Sequence, residues 1–310
     1  LPDTHTAFAD LTGGYGVDTL FLSTCFAHTD YIEQNDELCR IMQHNKELWS
    51  RVQNSNTTIN VHNTSAEQFM QTAGQYDLIF VDPARRDAYG GKVFRLEDCT
   101  PNMIELLPIL HTHLTPNGRI LLKLSPMLDI TQALSSLTTH YSLLTTLYWQ
   151  VFVVAVKNEV KEVLLLSQPT EQSIITAIDL AQPEQSFSFN PKDPKDSKDP
   201  KDLTSYPYLY EPNAAILKAG GYRYIAERFG VHKLDNNTHL FVSDQLIDDF
   251  PGRIWHVEQI IRDRKDLPSS LVQANILTRN YPLTPDQLKK KLHLRDGGAA
   301  YIIGARVAGK

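Results

Sequence analysis

The chain has 310 residues, of which 42% are hydrophobic and 21% charged, a composition that excludes wholesale disorder and fibrous architectures. No run approaches the ~18 apolar residues of a membrane span, and three cysteines without a C-x-x-C pair exclude a disulfide framework and a cysteine zinc site. The net charge of −6 is unevenly distributed along the chain. Residues 1–204 are acidic, with 15 Lys+Arg against 25 Asp+Glu, and residues 205–310 are mildly basic, with 15 Lys+Arg against 11 Asp+Glu.

In the first half of the chain, short apolar runs alternate with amphipathic stretches. This alternation predicts an α/β domain, in which a parallel sheet is connected by crossover helices. The predicted strands are Ala7–Leu11, Thr29–Glu33, Thr58–His62, Asp77–Val81, Ile120–Leu124, Gln150–Lys157 and Glu162–Ser167. Helices are predicted between the first five strands, for example over Asp36–Ser50 and Thr100–Leu114.

The last two predicted strands lie only a few residues apart, around Asn158-Glu159. A connection this short forces a hairpin and therefore an antiparallel pair at the edge of the sheet. The predicted architecture is thus a Rossmann-like sheet of seven strands, made of five βα units and a terminal antiparallel hairpin.

A Lys/Asp/Pro repeat occupies Pro191–Asp202, where four Lys and four Asp cancel and the prolines break helix and sheet. We expect a solvated linker there. The residues after it predict a smaller α/β or α+β module. Its predicted elements are a helical pattern within Pro212–Phe229, short strands around His239–Val242 and Arg253–Val257, a helix at Thr284–Leu292, and a closing strand at Ala299–Val307 after a Gly297-Gly298 turn.

A glycine-rich loop follows the first predicted strand, which ends in Asp10. Gly13, Gly14 and Gly16 fall within four residues just before a predicted helix. Glycine lets the backbone turn tightly and approach a ligand, and a helix N-terminus offers N–H groups to a carboxylate. The dinucleotide spacing G-x-G-x-x-G is absent, and the preceding acid suits the ammonium and carboxylate of an amino-acid moiety. The alternative is an ordinary strand–helix turn.

Polar residues also end the next three predicted strands. Glu33, about 20 residues after the loop, can accept hydrogen bonds from both hydroxyls of a ribose, or it is a plain surface carboxylate. The third strand runs into Asn63–Glu67, whose short polar side chains can bond an adenine edge, and the fourth ends at Asp82–Arg85. Because open α/β sheets bind ligands at the carboxyl ends of their strands, we expect these segments to line one crevice.

The order of these segments, with the terminal hairpin, resembles the class I S-adenosylmethionine-dependent methyltransferases over about Ala7 to Ser167. The loop resembles the family's first motif, and Asp82-Pro-Ala-Arg85 resembles its fourth, the D/N-P-P-x of nucleic-acid methyltransferases. The tail resembles the THUMP-like module of a bacterial methyltransferase family, in F-P-G-R at 250–253, R-N-Y-P at 279–282 and R-D-G-G at 295–298. THUMP modules of related enzymes recruit RNA.

The resemblance implies S-adenosylmethionine as the cofactor and a set of residues that hold it. Glu33 and Gln34 would bind the ribose, and Ser65 and Ala66 would contact the adenine. The other residues of the set are Asp10, Thr12, Gly13, Gly14, Gly16 and Asp82. The catalytic candidates are Asp82, Pro83 and Arg85. Ala84 and Arg85 replace the second proline and the aromatic of the family motif, so base stacking would fall to the Arg plane, to Tyr89 or to Phe94.

The same resemblance predicts the domain limits. We expect a methyltransferase domain at 1–168, a connecting segment at 169–204 and a THUMP-like module at 205–310, whose division into 205–248 and 249–310 stays open. Because the glycine loop begins within ten residues of Leu1, we also expect the natural protein to be longer, with a segment before this loop.

Other chemistries find less support in the sequence. Covalent methylation of a pyrimidine C5 needs a cysteine nucleophile, but the loop after the fifth strand reads K-L-S-P at 123–126. Cys99 is the one cysteine expected near the site, and the sequence favours a buried structural thiol there over a nucleophile. Arg85, Arg86 and Arg95 are either a phosphate clamp or ion pairs that fix a loop. The histidines show no ligand spacing, so we predict no metal.

The sequence therefore predicts a cytoplasmic enzyme that transfers a methyl group from S-adenosylmethionine to RNA, at a base nitrogen. We expect no membrane segment, and the oligomeric state stays open. One alternative is a non-catalytic RNA-binding or assembly protein that retains the cofactor cleft. Another is a methyltransferase that acts on protein or on a small molecule.

Overall fold

The structure, a computed structural model, describes residues 6–53, 57–84, 95–141, 148–168, 174–191 and 206–307. The chain divides into two compact units. The first comprises Leu1–Val154 with Lys161–Thr176, and the second comprises Ala155–Val160 with Ala177–Lys310. Among the described helices, none combines the length and the apolarity that crossing a bilayer requires.

Fifteen strands are present in the described residues. They are β1 Ala7–Asp10, β2 His28–Glu33, β3 Thr58–Asn63, β4 Tyr76–Val81, β5 Leu114–Leu124, β6 Tyr148–Val156, β7 Glu159–Gln168, β8 Ile175–Asp179, β9 Gln185–Phe189, β10 Tyr208–Pro212, β11 His232–Lys233, β12 Phe241–Ser243, β13 Gly252–His256, β14 Gln273–Arg279 and β15 Arg295–Ala305.

The described helices are shorter than the predicted stretches in most cases. They are α1 Val17–Ser23, α2 Asp36–Gln53, α3 Ala66–Met70, α4 Met103–Thr112, α5 Ile130–Tyr141, α6 Ala214–Ala219, α7 Tyr222–Phe229 and α8 Pro285–Leu292, with 3-10 turns at Leu96–Asp98 and Arg264–Asp266.

The large sheet has the strand order β3-β2-β1-β4-β5-β7-β6-β8-β9. The pairs among β1 to β5 are parallel, and β7 is antiparallel to β5. The first seven strands of that order are those of the predicted fold, which is confirmed. The carboxyl ends of β1, β2, β3 and β4 lie side by side, because β1 has β2 on one side and β4 on the other.

The connection between β6 and β7 explains why the sheet ends in a hairpin. Only Lys157 and Asn158 separate the two strands, with φ of 52° and 62°. Two positive φ values make the type I′ geometry that matches the twist of paired strands, and asparagine tolerates it well. The predicted hairpin is therefore present, and its turn lies one residue earlier than expected.

Two strands lie within the segment that the sequence analysis assigned to a linker. β8 and β9 follow β6 in the sheet order and were not predicted. The sequence of β8, I-T-A-I-D, alternates buried and half-buried residues as a strand does. Of the Lys/Asp/Pro repeat, residues 192–202 lie outside the described residues.

In the second unit, the helical pattern within Pro212–Phe229 is two helices instead of one. Gly220, at φ 74°, takes the left-handed conformation that ends α6, and α7 begins two residues later. β10 pairs antiparallel with β12 and β13, in a four-stranded sheet of order β11-β12-β10-β13. The strands β10 and β11 were not predicted from the sequence.

The closing strand begins earlier than predicted. β15 starts at Arg295 and pairs in parallel with β14, a strand that was not predicted, while α8 forms the crossover between them. The pairing passes from Ala274 opposite Asp296 to Asn275 opposite Tyr301. Gly297 and Gly298, at φ 99° and 88°, accommodate this bulge inside the strand and do not precede it.

Candidate active site

The loop after β1 closes around the Asp10 carboxylate. One oxygen accepts a hydrogen bond from the Thr12 backbone N–H at 3.0 Å, and the other accepts one from the Thr19 hydroxyl. Only 1% of Asp10 is exposed. The Asp10 side chain therefore links the end of β1 to the first turns of α1. It lies in the protein interior and holds the loop in place through its hydrogen bonds.

Burial raises the pKa of Asp10 to about 7, although the hydrogen bonds from Thr19 and Thr12 oppose this shift. The ordinary value is 3.8. Between these two values the folded protein holds a proton that the unfolded chain has released, so the free energy of unfolding falls as the pH rises through this window. We expect a fall of a few kcal/mol in the wild type, and a much flatter profile in Asp10→Asn, in urea titrations at several pH values.

The exposed Asp36 offers a matched control for this prediction, because its carboxylate lies on the surface of α2 beside Arg40. Asp36→Asn should keep the wild-type pH profile. An unchanged profile in Asp10→Asn would instead show that another group is responsible for the pH dependence.

The glycines of this loop lie against the end of β2. The Gly13 N–H donates to the Ile32 carbonyl at 2.9 Å, and the Gly14 N–H donates to Glu33 Oε2 at 3.0 Å. The Tyr31 hydroxyl donates to the Gly14 carbonyl at 2.6 Å. These bonds bring the predicted ribose-binding acid directly onto the glycine loop.

The last glycine of the loop begins α1. Gly16 has φ 79° and its N–H donates to the Gly13 carbonyl at 2.8 Å, while its carbonyl accepts from Leu20. A Cβ at this position would lie 2.4 Å from Met42 Sδ. Both the positive φ and this contact with α2 therefore require glycine.

The end of β3 joins the same region through Asn63. Its side-chain amide donates to the carbonyls of Glu33 and Gln34, each at 3.1 Å. The Ser65 hydroxyl then accepts from the Gln68 N–H at 3.3 Å and caps α3, and Ala66 is buried behind it. The serine hydroxyl is thus engaged in capping, and Gln34 is exposed beside Glu33.

The end of β4 is bonded to the glycine loop. The Asp82 N–H donates to Thr12 Oγ1 at 2.7 Å, while the Asp82 side chain is exposed and Pro83 is buried. Ala84 then forms a two-bond antiparallel bridge with Thr100, at 2.8 and 3.0 Å. Backbone bonds on both sides of Pro83 therefore fix the turn that carries Asp82.

Four predicted residues after this turn, Arg85, Arg86, Tyr89 and Phe94, lie outside the described residues. Arg95 is described and forms an exposed ion pair with Glu97 at 3.8 Å, which agrees with the loop-fixing alternative for that arginine. Cys99 is buried, with its thiol directed at the Arg95 carbonyl at 3.2 Å, as a structural thiol would be.

Lys123, at the end of β5, was not among the residues predicted from the sequence. Its Nζ lies 2.8 Å from Asp18 Oδ2, 3.6 Å from Asp82 Oδ2 and 3.8 Å from Glu162 Oε2. Burial disfavours its charged form, but the hydrogen bond with Asp18 and the neighbouring carboxylates outweigh burial, so the pKa of Lys123 is raised. A lysine in an otherwise apolar strand, I-L-L-K-L, is the signal that could have identified it.

The structure thus brings most predicted site residues into one hydrogen-bonded region at the carboxyl edge of the sheet. Hydrogen bonds join Asp10 and Asp82 to Thr12, and Glu33 to Gly14, while Gly13 donates to the Ile32 carbonyl next to Glu33. An ion pair adds Lys123 to Asp82. Within the part of the chain that the structure describes, no group of three or more His, Cys, Asp or Glu side chains is placed to hold a metal.

Comparison with known proteins shows to which family the chain belongs. It is similar to a putative methyltransferase from Porphyromonas gingivalis W83, with 32% identity and a TM-score of 0.82, over 98% of this chain and 74% of that protein. The chain belongs to this methyltransferase family. Within this chain, residues 208–251 match a ferredoxin-like domain and residues 252–310 match a THUMP domain-like family. The resemblance to class I S-adenosylmethionine-dependent methyltransferases with a C-terminal THUMP-like domain is confirmed.

Two further crystal structures resemble only part of this chain. A SAM-dependent methyltransferase from Agrobacterium tumefaciens has 16% identity and a TM-score of 0.39, over 55% of this chain and 57% of that one. A Streptococcus mutans protein in complex with SAH has 10% identity and a TM-score of 0.40, over 54% of this chain and 90% of that one. No curated protein matches the chain.

Proposed function

We propose that this methyltransferase transfers a methyl group from S-adenosylmethionine to a base nitrogen of RNA. The observation that carries the proposal is the position of Thr12. Its N–H donates to Asp10 inside the glycine loop, and its hydroxyl accepts the Asp82 N–H at 2.7 Å. Thr12 belongs to the predicted cofactor loop and is hydrogen-bonded to the predicted acceptor turn, so it fixes the two relative to each other. Alignment of donor and acceptor is the main requirement of an in-line methyl transfer.

The residues at the loop fit the cofactor. Glu33 accepts hydrogen bonds from the Gly14 and Asn35 N–H groups, and a carboxylate has about four acceptor sites, so two ribose hydroxyls can still bind. A Cβ on Gly14 would meet no atom closer than the Thr12 carbonyl oxygen at 3.8 Å, so there is open space beside the backbone. Ser65 and Ala66 begin α3, where the first N–H groups have no helical partner and can meet an adenine edge.

S-adenosylmethionine supplies a sulfonium methyl group, whose loss leaves a neutral thioether. Asp82 would accept a hydrogen bond from an N–H of the acceptor base and so orient the nitrogen lone pair. The proton that the methylated nitrogen releases would pass to this carboxylate. Lys123 holds Asp82 Oδ2 at 3.6 Å, and its raised pKa keeps it protonated, so it steadies the carboxylate and does not act as a base. Buried Pro83 fixes the turn beneath Asp82, and Arg85 is our proposed RNA contact on its sequence position alone.

The charge of the THUMP-like region supports RNA as the substrate. Residues 252–310 contain 11 Lys+Arg against 5 Asp+Glu, a net +6, whereas the whole chain carries −6. A positive surface attracts the phosphate backbone independently of sequence. The three free cysteines fit a reducing compartment and support a cytoplasmic location, and we keep 1–168, 169–204 and 205–310 as the proposed domain limits.

The experiment compares wild type with Asp82→Ala, using labelled S-adenosylmethionine and total RNA. We expect label in wild-type RNA and at least about 100-fold less with the variant, because alanine offers no oxygen to accept a hydrogen bond from the base N–H. Calorimetry should give cofactor affinities within about threefold of each other, since Asp82 touches the loop through its backbone N–H. Asp36→Ala, on the outer surface of α2, serves as the matched control.

The other outcomes select the alternatives. Cofactor binding by wild type without label in any fraction would favour the non-catalytic RNA-binding protein. Label in protein or in small molecules, with none in RNA, would reassign the substrate. A well-folded wild type that fails to bind S-adenosylmethionine would overturn the cofactor assignment, and equal transfer by Asp82→Ala would remove Asp82 from catalysis.

A further inference from the structure

Two aromatic side chains lie together at the surface of the THUMP-like region. Trp255, on β13, and Tyr301, on β15, have ring centroids 5.9 Å apart and planes tilted by 55°. Tyr301 is 49% exposed and Trp255 is half-buried. Because the rings are tilted and not stacked face to face, the exposed tyrosine has ring surface available for another planar group.

Regular backbone structure holds both rings in place. Trp255 lies opposite Leu209 in the β10–β13 pair, and Tyr301 lies opposite Asn275 in the β14–β15 pair. The Asn275 amide donates to the Gly298 carbonyl at 2.8 Å and so fixes the glycine bulge just before Tyr301. An aromatic pair mounted on strands in this way loses little conformational freedom when a ligand binds.

Positive charge lies beside the rings. Arg253 precedes Trp255 by two residues on β13 and therefore emerges on the same face of the strand. Its side chain is 46% exposed, and its Nη1 lies 3.9 Å from the buried Glu211 carboxylate. Arg279 also pairs with Glu211 and does so more closely. One carboxylate thus faces two guanidinium groups, which leaves an excess positive charge next to the aromatic pair.

We propose that Trp255 and Tyr301 form a stacking platform for an unpaired base of RNA, and that Arg253 contacts the adjacent phosphate. The inference rests on the proposed RNA substrate and adds which part of an RNA is held, and by which residues. A base in a duplex is covered by its neighbours, so an exposed ring selects single-stranded segments. Residues 252–310 carry a net charge of +6, which is complementary to the negatively charged phosphate backbone of RNA. A protein surface with few acidic residues would not offer this complementarity.

The test measures the affinity of the whole chain for a fluorescein-labelled single-stranded RNA of mixed sequence, by anisotropy. Tyr301→Leu should bind about 5- to 150-fold more weakly, the range expected for the loss of one base–aromatic stack. Tyr301→Phe keeps the ring and should stay within about twofold of wild type. Val272→Ala, an exposed apolar residue just before β14, is the matched control and should leave the affinity unchanged.

Tryptophan fluorescence gives a readout specific to stacking. RNA should quench the wild-type emission, and Trp255→Phe should remove that quenching, because Trp149 is buried and Trp49 packs against the core of the first unit. A wild type that binds no RNA would overturn the RNA substrate together with the platform. RNA binding that is unchanged in Tyr301→Leu, or equally tight binding of a duplex, would overturn the platform alone.

Discussion

Arg279→Leu is expected to lower the free energy of unfolding of the second unit by about 3–5 kcal/mol, the usual result when a buried ion pair loses one partner. Arg279 donates to Glu211, whose side chain is only 6% exposed. Without it, the ion-pair partner left to the buried carboxylate among the described residues would be Arg253, at 3.9 Å and nearly half exposed. Urea unfolding, followed by Trp255 emission in a background with Trp49→Phe and Trp149→Phe, would measure the loss.

An exposed ion pair provides the control for this prediction. Arg40 and Asp36, four residues apart on α2, are both mostly exposed, and Arg40→Leu should leave the free energy of unfolding close to that of the wild type. Adding Glu211→Leu to Arg279→Leu should restore part of the lost stability, because no buried charge is then left unpaired. If the double variant is as unstable as the sum of its single variants, the ion pair is not the source of the effect.

The alternation of strands and helices in the first unit is predictable because its signals are local. A periodic run such as Asp36–Ser50 carries its own helical signal, and α2 extends it only to Gln53. The short connection around Asn158 forces a hairpin whatever the rest of the chain does. The glycine loop and Glu33 are predicted to meet by the general geometry of parallel sheets, and the Gly14–Glu33 hydrogen bond forms at that place.

Lys123 could not be assigned from local sequence, since its closest partner, Asp18, lies 105 residues away. A lysine among apolar strand residues indicates a paired charge, but it does not say with which carboxylates. The strand β15 shows a different limit. Its glycines are typical of a turn, and only the pairing with β14 converts them into a bulge. Long-range pairing decided both cases.

The second large effect is expected at Gly13, where alanine should weaken S-adenosylmethionine binding by about 100-fold or more, a loss near 3 kcal/mol. A Cβ there would lie 2.1 Å from Tyr31 Cε2. Tyr31 is fully buried and its hydroxyl is bonded to the Gly14 carbonyl, so the ring cannot move aside. The loop must shift instead, which carries Gly14 away from Glu33. Calorimetry would measure the loss of S-adenosylmethionine affinity. Urea unfolding would measure the loss of stability caused by overpacking, which we expect to be about 1–3 kcal/mol.

Two companion variants separate this steric effect from backbone strain. Gly13 lacks a positive φ, so in a Tyr31→Leu background, where the ring is gone, Gly13→Ala should cost far less stability than in the wild type. Gly14→Ala differs in kind, because φ is 51° and the space beside it is open. It should add only about 1–2 kcal/mol of strain, while its methyl group occupies the space proposed for the cofactor. If Gly14→Ala binds S-adenosylmethionine as the wild type does, the cofactor does not lie against this loop, whatever Gly13→Ala does to stability.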